Sequence, residues 1–392
     1  MKSKNINFMI FIILLFSFFN STAQTINKGY TNQNIDLSDF DNSARHWYFI
    51  KDKDKIIEPL LNQKQYNQDE YNLIAENILL FQKNNGGWAK NYDMQAILTE
   101  EQKTAVINDK SRLNTCFDNS TTWGQLNYLA QVYNKTKNVN YKIGFINGID
   151  FILSAQYPNG GWPQFYPDTS GYGKHITFND GAMIGVMKLL KKIVDKDTIY
   201  NIVNLKQYDL VKVAYLKGID CILNSQIKYK DSLLVWCQQH NNITLAPVKA
   251  RAYELASICN GESAEIVTFL MSINNPNKET INSVISAVKW FEKSKIKGIQ
   301  VKTIEAEKTE YEYSTGTTDR IIVKDNNAPV IWARYYDLQT LKPLFCNRDG
   351  VAVDSFEKVD RERRAGYAWY VYDPQTVLDN YSAWLKQVKI SN

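Results

Sequence analysis

The chain has 392 residues, 13% of them aromatic, and a formal net charge of +5. This length fits one large domain or two, and the charge is too small to indicate a nucleic-acid partner. Five scattered cysteines without metal-type spacing exclude a disulfide framework, and three widely separated histidines exclude a typical zinc site.

The N-terminus has the pattern of a secretory signal peptide. Lys2 and Lys4 precede an apolar run at 8–19, which is too short to span a membrane, and small residues follow it. We predict cleavage near Ala23 and a secreted or periplasmic protein that is not membrane-bound.

The mature chain divides into a short leader and one domain. Residues 24–45 are polar and rich in Asn, Asp and Ser, so we predict a flexible leader there. We expect one catalytic domain over 46–392, and a monomer.

One motif ends two apolar helical patterns. The first pattern leads into Gln-Lys-Asn-Asn-Gly-Gly-Trp at 82–88, and the motif returns as Gln-Tyr-Pro-Asn-Gly-Gly-Trp at 156–162. A weaker copy starts at Gln226 and reaches Trp236. The glycine pair indicates the end of a helix, after which the tryptophan folds back over it.

An acid follows each copy and precedes a new helical pattern: Asp118, Asp180 and Glu262. A repeat of this length suits pairs of antiparallel helices. We therefore predict a mainly α fold, an α/α toroid of three helix hairpins, with short β segments toward the C-terminus between about 299 and 336. The three acids would then share one face.

Each acid also has a structural interpretation, because Asp and Glu stabilise helix N-termini. We favour that interpretation for Glu262. The polar loops around Asp118 and Asp180 favour function instead, because carboxylates with Asn119 and loop carbonyls are suitable ligands for calcium.

Three arginines stand among aromatic and small residues instead of charged surface runs: Arg251, Arg334 and Arg348. The planar guanidinium is suited to binding carboxylates. The alternative is that they form surface ion pairs, and the family resemblance described next decides between the two.

Several motifs together resemble polysaccharide lyase family 10, the pectate lyases. They are the 156–162 motif, His-Ile-Thr-Phe-Asn-Asp at 175–180, Ala-Arg-Ala-Tyr-Glu at 250–254, Arg-Asp-Gly at 348–350 and Arg-Arg-Ala-Gly-Tyr-Ala-Trp at 363–369. The resemblance spans about 82–384. It implies an α/α toroid, Ca²⁺ dependence, and cleavage of polygalacturonate by anti-β-elimination.

Carried over by position, the resemblance implies roles for individual residues. Arg348 is expected to be the catalytic base, Asp180 a calcium ligand, and Asp118 a catalytic acid that also holds calcium. Arg251 and Arg334 are expected to bind substrate carboxylates. The remaining expected substrate contacts are Asn119, Trp162, Tyr166 and His175.

Three positions depart from the family pattern. Ala89 stands where a proline is expected, Gly181 where many members have a second aspartate, and Asn241 where many have an aspartate. Because two of these remove a carboxylate, a non-catalytic pectin-binding relic stays open as an alternative. A glycoside hydrolase with two carboxylates on the same toroid is another. A terpene cyclase is disfavoured by the absence of an Asp-x-Asp-Asp motif.

Overall fold

A computed structural model describes residues 35–50, 55–168, 170–312 and 315–391. The predicted signal peptide 1–23 and the first part of the predicted leader lie outside the described residues. Residues 35–392 form one compact unit. No helix in the described ranges has the length and apolar character needed to cross a bilayer.

Helices dominate the described part of the chain. The α-helices are α1 Asp41–Phe49, α2 Tyr71–Phe81, α3 Glu100–Asn108, α4 Trp123–Thr136, α5 Val139–Ala155, α6 Ala182–Val194, α7 Leu205–Ser225, α8 Asn260–Met271, α9 Lys278–Lys293, α10 Arg361–Gly366 and α11 Asp373–Ser391. Short 3₁₀ helices lie at Ser38–Phe40, Asp118–Ser120, Gly171–Lys174, Asn179–Gly181, Thr198–Tyr200 and Phe356–Lys358.

The strands are short apart from one hairpin. They are β1 Ile176–Thr177, β2 Lys228–Tyr229, β3 Ser232–Leu233, β4 Gln239–His240, β5 Ile258–Cys259, β6 Ile299–Glu310, β7 Thr315–Lys324, β8 Trp332–Ala333, β9 Tyr335–Tyr336, β10 Phe345–Cys346, β11 Ala352–Val353 and β12 Tyr370–Val371. Each described strand pairs antiparallel with one other strand.

Three antiparallel helix pairs form the body of the domain: α4 with α5, α6 with α7, and α8 with α9. Helices α4, α6 and α8 pack side by side on the inside, and α2, α5, α7 and α9 follow one another around the outside. Helix α11 packs against α8 and α9. The predicted α/α toroid with short β segments is confirmed.

The inner and outer helices start differently. The outer helices α5, α7 and α9 begin after Asn138, Asn204 and Asn277, each of which caps a backbone N–H of the first turn. The inner helices α4, α6 and α8 have no side-chain cap. Their partly positive N-termini therefore remain available to anionic groups.

A glutamine links each repeat to the next. Gln82 Nε2 donates to Gly86 O within its own loop and to Gly144 O on α5, both at 2.8 Å. Gln156 reaches Gly160 O and Ala214 O on α7 in the same way, and Gln226 reaches Leu234 O and Ser283 O on α9. The repeated motif thus ties successive outer helices together.

The repeated tryptophan covers the end of the preceding helix, as predicted. Trp88, Trp162 and Trp236 donate from Nε1 to Ile78 O, Ile152 O and Ile222 O, at 2.8, 2.8 and 2.7 Å. All three side chains are fully buried. The prediction that Trp162 contacts substrate is therefore wrong: its ring lies in the core and its only donor is used there.

The first glycine of the Gly-Gly-Trp motifs at 86–88 and 160–162 is needed because the backbone of the next outer helix lies very close to it. Gly160 has φ +91°, and a Cβ there would lie 2.0 Å from Lys217 O on α7. Gly86 has the same φ and would meet Asn147 O.

The ordered unit begins earlier than residue 46. Residues 35–45 were predicted to be a flexible leader, but Ile35 and Phe40 are buried, and Phe40 packs on Tyr128 with 5.5 Å between ring centroids. A few apolar side chains in a polar stretch are enough to fix this segment on α4. Helix α1 follows directly.

The strand region also differs in detail. The predicted strands at 299–304 and 320–323 belong to one long hairpin, β6–β7. The third predicted strand, at 330–336, forms two short ones, β8 and β9, which pair with β12 and β5 respectively.

Replacing Trp162 with alanine is expected to destabilise the fold by about 3–5 kcal/mol, because a large buried side chain leaves a cavity. Urea denaturation would measure the change. Phe49→Ala is the control, because the Phe49 side chain is 82% exposed. A Trp162→Ala protein that kept its stability but lost substrate affinity would instead support the prediction that Trp162 contacts the substrate.

Candidate active site

Two short turns bring the predicted acids together. The 3₁₀ turns Asp118–Ser120 and Asn179–Gly181 lie side by side, at the starts of α4 and α6. Each contains left-handed backbone, with φ +53° at Asn119 and +51° at Asp180. Such conformations cluster at functional sites, and Asn and Asp tolerate them better than most residues.

Asp118 and Asp180 form an acidic pair. Asp118 is buried, and its Oδ2 accepts a hydrogen bond from Lys90 Nζ at 2.5 Å. Its Oδ1 is also buried but has no hydrogen-bond donor among the described residues. The surrounding protein displaces water from Asp180, and the charges of Asp118 and Glu262 add repulsion, so that the pKa of Asp180 rises to about 6.

Asn119 holds the first turn. Its Oδ1 accepts from Asn42 Nδ2 at 2.7 Å, and its Nδ2 donates to Asn91 Oδ1 at 3.1 Å. The side chain is buried. Asn119 therefore has a structural role in holding this turn, and its contact with substrate stays a prediction.

Glu262 lies in the first turn of α8, as predicted, but it does more than stabilise the helix. It forms an ion pair with Arg334, whose Nη2 also donates to Asn179 Oδ1 at 3.2 Å. The guanidinium lies 5.0 Å from the centroid of the Tyr367 ring. Glu262 thus fixes a positive charge beside the acidic pair.

Arg251 is held in a similar way. Its Nε donates to Glu254 Oε2 at 2.7 Å, and Glu254 Oε1 also accepts from Tyr367 Oη at 2.7 Å. Burial alone would lower the pKa of Arg251, but the hydrogen bonds and charge of Glu254 outweigh it and raise the pKa. The Arg251 side chain is 43% exposed and that of Glu254 only 1%, so the arginine faces the solvent side.

Arg348 is not among the main charges that shift the pKa of Asp180. It pairs with Glu362, with Nε to Oε2 at 2.8 Å, and lies 5.7 Å from the centroid of Tyr253. Arg251 shares that ring at 5.3 Å. Arg334 and Arg251 are the positive charges that most strongly offset the raised pKa of Asp180.

Two cavities flank the acidic pair. One, of about 570 Å³, is lined by the starts of all three inner helices, including Trp123, Asp180 and Glu262, and by Arg334. The other, of about 610 Å³, is lined by Lys90, Phe165 and Tyr172 among others. Asp118 connects them, because it pairs with Lys90 and its charge acts on Asp180.

The comparisons with known proteins agree on one family. The model of a family described as pectic acid lyase matches residues 82–378. The chain belongs to the pectic acid lyase family. The predicted resemblance and the enzyme class, a pectate lyase, are confirmed.

Two solved structures of the family 10 polysaccharide lyase from Cellvibrio cellulosa are similar to this pectate lyase. One is an aspartate-to-alanine mutant in complex with trigalacturonic acid, with 28% identity, a TM-score of 0.66, and coverage of 81% of this chain and 96% of that one. The other has 29% identity, the same TM-score, and coverage of 81% and 95%. No curated protein matches the chain.

Two predicted contacts of the pectate lyase lie away from the acidic pair. Tyr166 is half-buried and packs on Phe151, with 5.9 Å between ring centroids. His175 is partly buried, and burial with the charge of Lys174 lowers its pKa. Among the described residues, no hydrogen bond or ring contact joins either side chain to Asp118 or Asp180, and their contact with substrate stays a prediction.

Gly181 and Asn241, which stand where many family members have an aspartate, differ in their position relative to the cavity. Gly181 lines the cavity next to Asp180, and its φ of +68° favours glycine. Asn241 lies in a turn, where its Oδ1 accepts from the backbone N–H groups of Ile243 and Thr244 at 2.9 Å each. Only Gly181 therefore changes the lining of the site.

Sequence reasoning missed Lys90, Tyr172 and Glu254 as parts of the site. Lys90 follows the first Gly-Gly-Trp motif, and its Nζ lies 5.1 Å from the centroid of the Phe165 ring. An aromatic residue between two glycines at 171–173 was the one signal for Tyr172. Nothing in the local sequence around Lys90 indicates its contact with Asp118.

Proposed function

We propose that this pectate lyase cleaves α-1,4-linked polygalacturonate by calcium-assisted anti-β-elimination and releases 4,5-unsaturated oligogalacturonates. The observation that carries this proposal is the acidic pair Asp118–Asp180 beside the guanidinium groups of Arg251 and Arg334. This combination of charges suits an anionic polymer and a divalent cation. The related lyase in complex with trigalacturonic acid supports a galacturonan substrate.

Calcium fits the residues at the acidic pair. The buried Asp118 Oδ1 has no donor in the described ranges, and the pKa of Asp180 is raised first by burial and then by the negative charges of Asp118 and Glu262. Within those ranges, no group of three or more His, Cys, Asp or Glu side chains could hold a metal. Two carboxylates would therefore need a substrate carboxylate to complete the coordination. When bound, calcium would neutralise that carboxylate and increase the acidity of the adjacent carbon.

The arginines supply the remaining charge stabilisation. Removal of the C5 proton puts additional negative charge on the neighbouring carboxylate of the sugar. Arg334, fixed by Glu262 and Asn179, presents a rigid guanidinium for that carboxylate. A donor that is already in place where charge develops lowers the barrier without reorganisation.

The base must take the C5 proton while the electron pair forms the C4–C5 double bond and the C4–O4 bond breaks. The O4 leaving group then takes a proton. The family resemblance gives this role to Arg348, and that stays a prediction. Charge and exposure favour Arg251, because its positive charge lowers the pKa of Asp180 and its side chain is partly exposed. Since Glu254 raises the pKa of Arg251, Arg251 acts either as a scarce neutral guanidine or by holding a hydroxide ion.

Ultraviolet absorbance of the unsaturated product tests the function directly. The mature protein is incubated with polygalacturonate and calcium, and then with a chelator. We expect absorbance to rise only with calcium. A flat trace with new reducing ends would indicate a hydrolase, and a flat trace with retained polymer binding would indicate a non-catalytic relic.

We also propose export by the predicted signal peptide and a monomeric mature protein. The pattern of residues 1–23 and a polymeric substrate that cannot enter cells support export. N-terminal sequencing of the exported protein would contradict this if the chain began before Gln24. Sedimentation of the same sample would report its oligomeric state.

A further inference from the structure

Helix α1 contributes to the cleft although it precedes residue 82, where the family match begins. Asn42 lines the same cavity as Asp180 and Arg334. His46 Nδ1 lies 3.2 Å from Asn119 Nδ2. Burial and the charges of Arg45 and Lys90 lower the pKa of His46, and Asp118 opposes them. The helix therefore stands directly beside the acidic pair.

Arg45 lies on this helix between those two residues. Its Nη2 donates to Asn42 Oδ1 at 2.8 Å and lies 3.2 Å from His46 Nε2. The side chain is exposed. Neutral groups thus hold one end of the guanidinium, and the remaining N–H donors point to no acceptor in the described ranges.

The charge of Arg45 distinguishes it from the other cleft arginines. Arg251, Arg334 and Arg348 each pair with a glutamate. Among the described residues, no carboxylate lies within ion-pair distance of Arg45. A substrate carboxylate can therefore bind Arg45 without displacing an acid of the described part of the chain, which makes the interaction more favourable.

We infer that Arg45, positioned by Asn42 and His46, forms an additional carboxylate-binding subsite for a uronate unit of the polymer beyond the unit that reacts. This inference rests on the proposed function. The subsite extends the cleft along α1, on the side of the Asp118 turn. Its ligand chemistry is a sugar carboxylate on a chain long enough to reach both α1 and the acidic pair.

Kinetics on substrates of increasing length test the subsite. With Arg45→Ala, we expect KM for polygalacturonate to rise about tenfold with kcat unchanged, which corresponds to one lost charge-assisted hydrogen bond. The effect is expected to grow with length from the trimer to the polymer. Arg45→Lys should recover part of the loss, because it retains the charge without the planar fork.

The control is Lys206→Ala, which removes one positive charge from an exposed position in the first turn of α7. It should leave KM unchanged. If Arg45→Ala lowered kcat equally for substrates of all lengths, the role of Arg45 would be only to support Asn42. The proposal of a subsite would then be wrong. An unchanged KM on the polymer would also overturn it.

Direct binding separates this inference from the proposed function. If the wild-type protein formed no unsaturated product, the function would fail on its own. Calorimetric titration of oligogalacturonates of several lengths would still decide the subsite. Weaker binding of only the longer oligomers by Arg45→Ala supports it, and equal binding by both proteins contradicts it.

Discussion

Arg251→Ala is expected to lower kcat by about 10²–10⁴-fold, the usual contribution of a general base. The Arg251 guanidinium is partly exposed. Its positive charge lowers the pKa of Asp180, an effect second only to that of Arg334 among the arginines. Absorbance of the unsaturated product at saturating polygalacturonate and calcium measures the change. Added guanidine should restore part of the activity, since it can occupy the vacated space.

Loss of Arg251 also leaves the buried Glu254 without its ion-pair partner. Urea denaturation must therefore accompany the kinetics, because an unpaired buried acid destabilises the fold. Arg251→Lys is a second variant that keeps a positive charge near Glu254. It should remain folded and still have a greatly reduced kcat, since the ammonium group cannot reproduce the geometry of the guanidine.

Arg348→Ala is the matched comparison, because Arg348 also pairs with a glutamate and also lies against Tyr253. We expect it mainly to raise KM. If Arg348→Ala lost more kcat than Arg251→Ala, then Arg348 would be the base, as the family resemblance implies, and our assignment of Arg251 would be wrong.

Asp180→Asn is expected to abolish calcium activation while leaving the metal-free protein at least as stable as the wild type. The amide has the same shape but loses the negative charge that a calcium ligand needs. The charge is unfavourable in the folded, metal-free protein, because water is displaced and Asp118 and Glu262 repel it. Removing that charge therefore costs no stability.

The pH dependence has a definite sign. The pKa of Asp180 is raised from 3.8 to about 6 in the folded protein, so its charged form opposes folding. This destabilisation is fully present above about pH 6 and disappears as the pH falls toward 4. Calcium needs the charged form, so the rise in Tm caused by calcium should be largest at pH 8 and shrink as the pH falls through about 6.

Thermal unfolding with calcium and with chelator, at pH 5 and pH 8, measures both effects. Asp373→Asn is the control, because it removes a carboxylate that lines the same cavity. It should keep the calcium response. If calcium raised the Tm of the Asp180→Asn protein as much as that of the wild type, Asp180 would not be a calcium ligand.

The parts of the fold that repeat in sequence were predictable. Gly-Gly-Trp at 86–88 and 160–162 indicated the helix ends, and the acids that follow indicated where the inner helices begin. These features are local, because a helix end needs a specific backbone conformation and a covering side chain. Their repetition then implied the toroid, and with it the meeting of Asp118 and Asp180.

The direction of individual side chains was not predictable from the same motifs. Trp162 belongs to a motif that resembles the family, and Asn119 follows the predicted acid Asp118, but a residue at such a position can serve the fold as well as catalysis. Trp162 covers a helix end, and Asn119 holds a left-handed turn. Lys90 and α1 reach the site through long-range packing, which leaves no periodic signal in the sequence.

The glutamine links have a consequence for how the enzyme can change. Gln82, Gln156 and Gln226 join neighbouring outer helices through backbone carbonyls, which every residue type supplies. The acids and arginines, in contrast, stand on turns at the uncapped ends of the inner helices. Substitutions at those turns leave the glutamine hydrogen bonds intact. Natural variants can therefore gain or lose a carboxylate, as at Gly181, and still fold into the toroid. Diversity of substrate preference on one scaffold is therefore expected to concentrate in the turns that precede α4, α6 and α8.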